Sequence, residues 1–443
     1  MHALFAFAHM QDIVPILAPA SLVVYVAWLL PSTSFPRGLL RREVLIVLLL
    51  VLYLVLNMTI NHSLQGIGPV AFFRNQGRLF YVLALLVLFM SLRPGYRLEE
   101  HLYPAAVYVG AAIAVVSFAS LLLGPFSIGG VRLSSDIRLQ GIMGGHNPTS
   151  ASLGLCVLVL AVALQDPELG PLRFRARPGL WVAGFLILAA TLSARSRGYT
   201  IALIVALGYL FLPSPRDLFV RYRVSVRRLA FIALLGITLL AGAGALATRL
   251  GPDVIRDPNV VTRLALFARA ARMGLESPLT GLGLGTFEQT DVAIDRVIPG
   301  VFAVRTSGRY VTERVAFDVE GGLHAHNVYL QLFAETGLLG LGLLGLLLVT
   351  VLLDGRAILR RKGVFLASDE TSRACFNARL TASMIIFLGV AGMAAGYTFQ
   401  SPGTSWLLWI AMGRLIRQRH AALGRSGEVK AWAVPSDAEP NPA

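Results

Sequence analysis

Apolar stretches long enough to cross, or nearly cross, a bilayer recur from one end of this chain to the other. They fall near residues 13–30, 43–58, 79–92, 103–123, 149–165, 179–193, 199–213, 229–247, 328–352, 380–398 and 403–416. A hydrocarbon core ~30 Å thick asks for helices of about this length. A β-barrel would instead show ~10-residue segments of alternating polarity. Composition agrees: 56% of residues are hydrophobic and 14% are charged, against about 25% charged in a soluble domain. The expected fold class is all-α, a polytopic integral membrane protein of about 11–12 transmembrane helices with one long extramembrane loop. The two cysteines, Cys156 and Cys375, lie far apart and give neither metal spacing nor a disulfide framework.

The formal net charge of +15 rests on 37 Arg and only 2 Lys. A basic membrane protein with arginine-rich cytoplasmic loops explains this better than nucleic-acid binding, and no nucleic-acid partner is expected. One set of alternate connections, including Arg37, Arg41, Arg42, Arg173, Arg175, Arg177, Arg356, Arg360 and Arg361, holds 24 of the 39 basic residues. The short loops of the other set hold six: Arg74, Arg78, Arg132, Arg138, Arg195 and Arg197. By the positive-inside rule, the C-terminus is cytoplasmic and eleven spans put the N-terminus outside.

The segment 249–326 then lies outside as well. Its nine Arg are matched by nine acids, so it is near neutral. It is expected to begin as an amphipathic helix along the outer membrane surface. That helix breaks at Pro278 and a Gly-rich turn, and a loop returns to His324. Residues 1–425 are expected to form one membrane-embedded domain that includes this loop. Residues 426–443 read as a disordered tail.

Several polar groups collect on the outer side. "HAHN" (His324–Asn327) stands directly before a long apolar helix. Imidazole is the side chain that takes a proton near neutral pH, and Asn327 suits a helix cap. Both histidines also fit an ordinary polar interface. "SARSRG" (Ser193–Gly198) puts Arg195 and Arg197 in a short turn on the arginine-poor side. Those guanidinium groups fit either snorkelling to lipid phosphates or a fork held for a pyrophosphate. Arg263, with Arg269 and Arg272 nearby, lies on the amphipathic helix and fits either a solvated face or the same anion site. "IRLQGIMGGHNPTSASLG" (Ile137–Gly154) carries Arg138, His146 and Asn147, and its Asn-Pro pair reads first as a helix start. "GLGLG" (Gly281–Gly285) follows no strand and precedes no Walker lysine, so it reads as a tight turn rather than a nucleotide loop. No Asp-x-Asp pair, His-Glu-x-x-His run or nucleophile elbow is present, so neither a metal nor a cofactor is expected.

These residues together resemble the bacterial O-antigen ligase and O-antigen polymerase superfamily. The resemblance rests on "HAHNVYLQLFAETGLLG" (His324–Gly340), on "RLALFARAARMGLESPLTGLGLGTF" (Arg263–Phe287), on "SRG" (Ser196–Gly198) and on "GIMGGHNPTSA" (Gly141–Ala151). It covers roughly residues 130–400. The chain departs from the pattern at Phe267, where tryptophan is frequent, and in lacking a twelfth span.

The resemblance implies a glycosyltransferase of the inner membrane with its site facing the periplasm. The donor would be a glycan on undecaprenyl pyrophosphate, and the acceptor a hydroxyl of lipid A-core or of another glycan. Transfer would be inverting and metal-independent, with O-antigen ligation to lipid A-core the first choice. By position, His326 would be the general base, and Arg197 and Arg263 would hold the pyrophosphate. His324, Asn327, Arg195, Arg138 and Asn147 would be possible substrate contacts. A polymerase or a protein O-oligosaccharyltransferase would share these motifs. A lipid-linked glycan transporter would instead place charge along a path through the spans.

Overall fold

The structure is a computed structural model. It describes residues 42–65, 82–91, 99–124, 126–128, 131–133, 146–165, 179–194, 196–211, 258–287, 303–306, 309–312, 316–318, 324–361, 369–393 and 405–419. The expected spans at 13–30 and 229–247, the tail 426–443, and Arg138 and Arg195 lie outside the described residues.

The helices in chain order are α1 (Arg42–Gln65), α2 (Val82–Ser91), α3 (Glu99–Leu123), α4 (His146–Gln165), α5 (Gly179–Ser193), α6 (Arg197–Phe211), α7 (Pro258–Glu276), α8 (Val328–Arg361), α9 (Asp369–Ala391) and α10 (405–419). Among the described residues, four stretches are long and apolar enough to cross a membrane: Glu100–Leu123, Asn147–Leu164, Val328–Arg360 and Ser372–Ala391. Three shorter helices, α2, α5 and α6, are also apolar. The polytopic helical membrane fold therefore stands.

α4 is apolar on all sides because it is enclosed on all sides: it packs against α3, α5, α6 and α9. Small residues let its neighbours close in. A Cβ at Gly154 would strike the Phe387 ring of α9, and one at Gly110 of α3 would crowd Cys156. α1 behaves differently. Ile46, Val47, Leu50 and Leu54 are buried, while Leu45, Leu48, Leu49 and Leu52 are exposed on the opposite face. An exposed stripe of leucines is what a lipid-facing helix requires.

Two small antiparallel sheets lie in segments expected to be plain loop. β1 (Phe126–Ile128) and β2 (Val131–Leu133) form a hairpin after α3. β3 (Ala303–Thr306), β4 (Arg309–Thr312) and β5 (Ala316–Asp318) form a three-stranded meander, with β5 near α7. α7 itself also corrects an expectation. Its apolar stripe, Leu266, Ala270 and Met273, is covered by Phe287, Ala325 and Ala334 rather than laid on lipid.

Candidate active site

α8 does not run unbroken. Gly337 sits at φ 62°, ψ −166°, which separates Val328–Thr336 from the span that follows. Such a break strips two helical hydrogen bonds. The carbonyls of Ala334 and Glu335 lose the amides of Leu338 and Leu339, and buried backbone groups must find other partners. The Pro278–Gly283 turn supplies all four. Leu282 N donates to Ala334 O (2.9 Å) and Gly283 N to Glu335 O (2.9 Å), while Leu338 N donates to Pro278 O (2.9 Å) and Leu339 N to Leu279 O (3.1 Å). The approach leaves no room for side chains. A Cβ at Gly281 would run into the Glu335 carbonyl, and one at Gly337 into the Leu279 backbone. The Gly-rich turn and the Glu-Thr-Gly motif are therefore two halves of one joint.

α1 locks that joint from a third side. Tyr53 Oη donates to Thr336 O (2.5 Å), and Asn57 Nδ2 donates to Thr280 O (2.6 Å). Asn57 Oδ1 in turn accepts from Leu284 N (3.1 Å). Arg269, buried on α7, donates to Phe287 O (2.6 Å) and lies over the Phe287 ring (4.6 Å). It anchors the end of the turn. Arg272 forms an i,i+4 pair with Glu276 (3.4 Å) on the exposed side of α7. Arg269 is thus committed to the turn.

The histidines sit where α8 begins. Asn327 Oδ1 accepts from Tyr329 N (3.0 Å) and Leu330 N (3.1 Å), the helix cap expected from sequence. Its Nδ2 donates to Met393 O (3.4 Å), and Val328 N donates to Gly392 O (2.9 Å), so the last turn of α9 grips the start of α8. The residue before the cap, His326, is the one non-glycine with positive φ among the described residues (50°). Left-handed backbone costs a non-glycine residue about 1–2 kcal/mol, and such strain gathers at functional positions.

The His326 imidazole is half-buried, and its Nδ1 has no hydrogen-bond partner among the described residues. No neighbour there locks it into one tautomer. Burial, then the neighbouring His324, then the Arg263 guanidinium push its pKa down to about 4. The two imidazole rings are 4.2 Å apart and tilted by 42°. At neutral pH His326 is therefore uncharged, with a lone pair available.

Arg263 is placed by the same stripe that docks α7. It stands three residues before Leu266 and seven before Ala270, so it continues the buried face and emerges exposed at its end. Its charge reaches His326.

A second cluster forms at the same end of the bundle. Ser196, ahead of α6, donates to Asn147 Oδ1 (2.6 Å) at the start of α4. That bond joins two motifs far apart in sequence and fixes the turn from which exposed Arg197 projects. α6 packs on α9 (Tyr199 and Phe387 rings 5.8 Å apart), and α9 holds the start of α8. The connection between Arg197 and His326 thus runs through α9. The amides of Asn147 and Asn327 are engaged in holding turns and helix ends.

The arrangement puts a neutral imidazole and cationic guanidinium groups at one end of a membrane bundle, beside a joint made from two glycine motifs. Residues 182–345 match the family model described as O-antigen ligase. This part of the chain is O-antigen ligase-like. The matched segment holds Arg197, Arg263, His324, His326 and both halves of the glycine joint, and makes up less than half of the chain. No curated protein matches the chain. Helices long and apolar enough to cross a membrane thus accompany an O-antigen ligase-like segment in one chain.

Tyr53, Asn57, Gln331 and Glu335 contribute to the site's framework and were not singled out from sequence. Only the Glu-x-Gly spacing at 335–337 signalled any of them, and the two α1 residues are ordinary polar residues in an apolar helix.

Proposed function

We propose that the protein moves a glycan from undecaprenyl pyrophosphate to a sugar hydroxyl at the periplasmic face of the inner membrane, with lipid A-core as the acceptor. In this reading residues 1–425 are one membrane-embedded domain that includes the periplasmic loop 249–326. The observation that carries the reading is His326. A strained, half-buried imidazole kept neutral by burial, the neighbouring His324 and the Arg263 guanidinium is suited to receive a proton.

In the reaction, the acceptor hydroxyl gives its proton to His326 as its oxygen bonds to the anomeric carbon. The bond from that carbon to the pyrophosphate oxygen breaks, and undecaprenyl pyrophosphate leaves with the electron pair. Attack opposite the leaving group inverts the anomeric centre. Arg197 and Arg263 receive the departing charge. The donor also tunes the base: its negative charge offsets Arg263, which raises the proton affinity of His326 once the donor is bound.

The test is transfer by purified protein given undecaprenyl-pyrophosphate glycan and lipid A-core, with EDTA present. Wild type is expected to place glycan on lipid A-core. His326→Ala is expected to lose at least about 10²-fold, the usual worth of a positioned base, while remaining folded. Lengthening of the donor glycan instead would make the protein a polymerase. Equal transfer by His326→Ala would remove the histidine from the mechanism.

A further inference from the structure

His326 is held on its C-terminal side by the Asn327 cap, and what holds it on the other side is a buried glutamine. Ala325, fully enclosed between the two histidines, donates its N–H to Gln331 Oε1 (3.3 Å), one turn into α8. Gln331 Nε2 donates in turn to Glu335 Oε1 (3.3 Å), one turn further. Gln331 is 1% exposed and Glu335 0%. A buried amide is costly unless its polar atoms are used, and here both ends are.

Chemistry fixes which way the amide points. Ala325 N–H can only donate, so it must meet the oxygen. The NH2 then faces Glu335 Oε1, which accepts from it. Turned over, the amide would set its NH2 against the Ala325 N–H. Glu335 belongs to the glycine joint, where its carbonyl takes the Gly283 amide. The chain of bonds therefore runs from the joint, through Glu335 and Gln331, to the backbone directly before His326.

We propose that Gln331 is a positioning residue for His326, with Glu335 setting its orientation, so that the glycine joint fixes the left-handed backbone of the base. The proposal rests on the assignment of His326 above. Without the Gln331 oxygen the Ala325 N–H is buried and unpartnered, which the loop relieves by opening. An opened loop lets His326 relax from φ 50° and lets water reach the ring. The titratable and charged groups facing that ring are His324 on the same loop and Arg263 on α7, and α9 presents the Gly392 and Met393 backbone.

The experiment is an NMR titration of the full-length protein in detergent, with 13C-labelled histidine and the His326 signal assigned by its loss in His326→Ala. Wild type is compared with Gln331→Met, which keeps the volume and loses the amide, and Gln331→Asn, which keeps the amide and shortens its reach. Folding is checked by thermal melting. In any folded variant His326 is expected to titrate closer to the ordinary histidine value than in wild type. In the transfer assay kcat is expected to fall about 10-fold or more while the donor KM stays within about twofold. A folded variant whose His326 titrates as in wild type overturns the proposal. The titration needs no turnover. Wild type inactive on every glycan acceptor would therefore sink the proposed function and still leave the titration to judge Gln331.

Discussion

The two ends of the helical bundle handle charge in opposite ways. At the end away from His326, charge closes on charge. Arg42 at the start of α1 pairs with Asp354 late in α8 (2.9 Å) and with its neighbour Glu43 (3.1 Å). Arg419 on α10 pairs with Glu43 (3.2 Å) and with Asp354. Arg373 of α9 meets Glu100 of α3 (3.4 Å). One turn inward, Tyr103 donates to Asn377 (2.7 Å) and Asn377 to Gln418 (3.0 Å). At the histidine end, helices are joined by backbone amides and asparagines instead. Arg197 and Arg263 have no carboxylate partner among the described residues. Paired charges tie helices together, and cations without a carboxylate partner are available to a ligand.

Changes at the two ends should therefore separate activity from stability. The largest effect is expected from Arg197→Lys. Lysine keeps the charge and loses the two-pronged contact with phosphate, so transfer should fall about 10²-fold, as when one donor to a developing anion is lost. Melting should be unchanged. An active Arg197→Lys enzyme would make that arginine a lipid-snorkelling residue. Asp354→Ala should show the reverse pattern. It leaves two arginines facing Glu43 alone, but those arginines are 51% and 22% exposed, so the loss should be about 1–2 kcal/mol rather than that of a fully buried pair. The variant should melt earlier, while transfer per folded molecule stays at the wild-type level. Loss of activity without loss of stability at Asp354 would erase the distinction between the ends.

The sequence displayed the fold wherever a helix is apolar over its length, and concealed it wherever polar residues face protein. α9 begins at Asp369, well before the expected span at 380, because Arg373, Asn377 and Thr381 are buried against neighbouring helices rather than left to solvent. α7 was legible as amphipathic, but periodicity cannot say whether protein or lipid covers the apolar face. The short strands of 303–318 are held by register with one another, which single-strand patterning in a polar segment does not reveal.

At the site, the Asn327 cap followed from residue type and position alone. The Ser196–Asn147 bond and the glycine joint did not, since each unites motifs separated by dozens of residues. The Arg269 anchor was equally hidden, because an arginine that binds a carbonyl and a ring reads in sequence like one that binds an anion.

The central claim is that His326 acts as a neutral base whose proton affinity is lowered by burial, by His324 and by the cation at 263. The direct test is the pH dependence of kcat/KM for transfer, in wild type and in Arg263→Gln, since this ratio reports groups of the free enzyme. Removing a positive neighbour favours the imidazolium, so the substitution must raise the pKa. Wild type is expected to lose activity on the acid side only as pH falls towards about 4, and Arg263→Gln at a higher pH, with a lower maximum. An acid limb at the ordinary histidine value in both proteins, or one that Arg263→Gln leaves in place, would contradict the account.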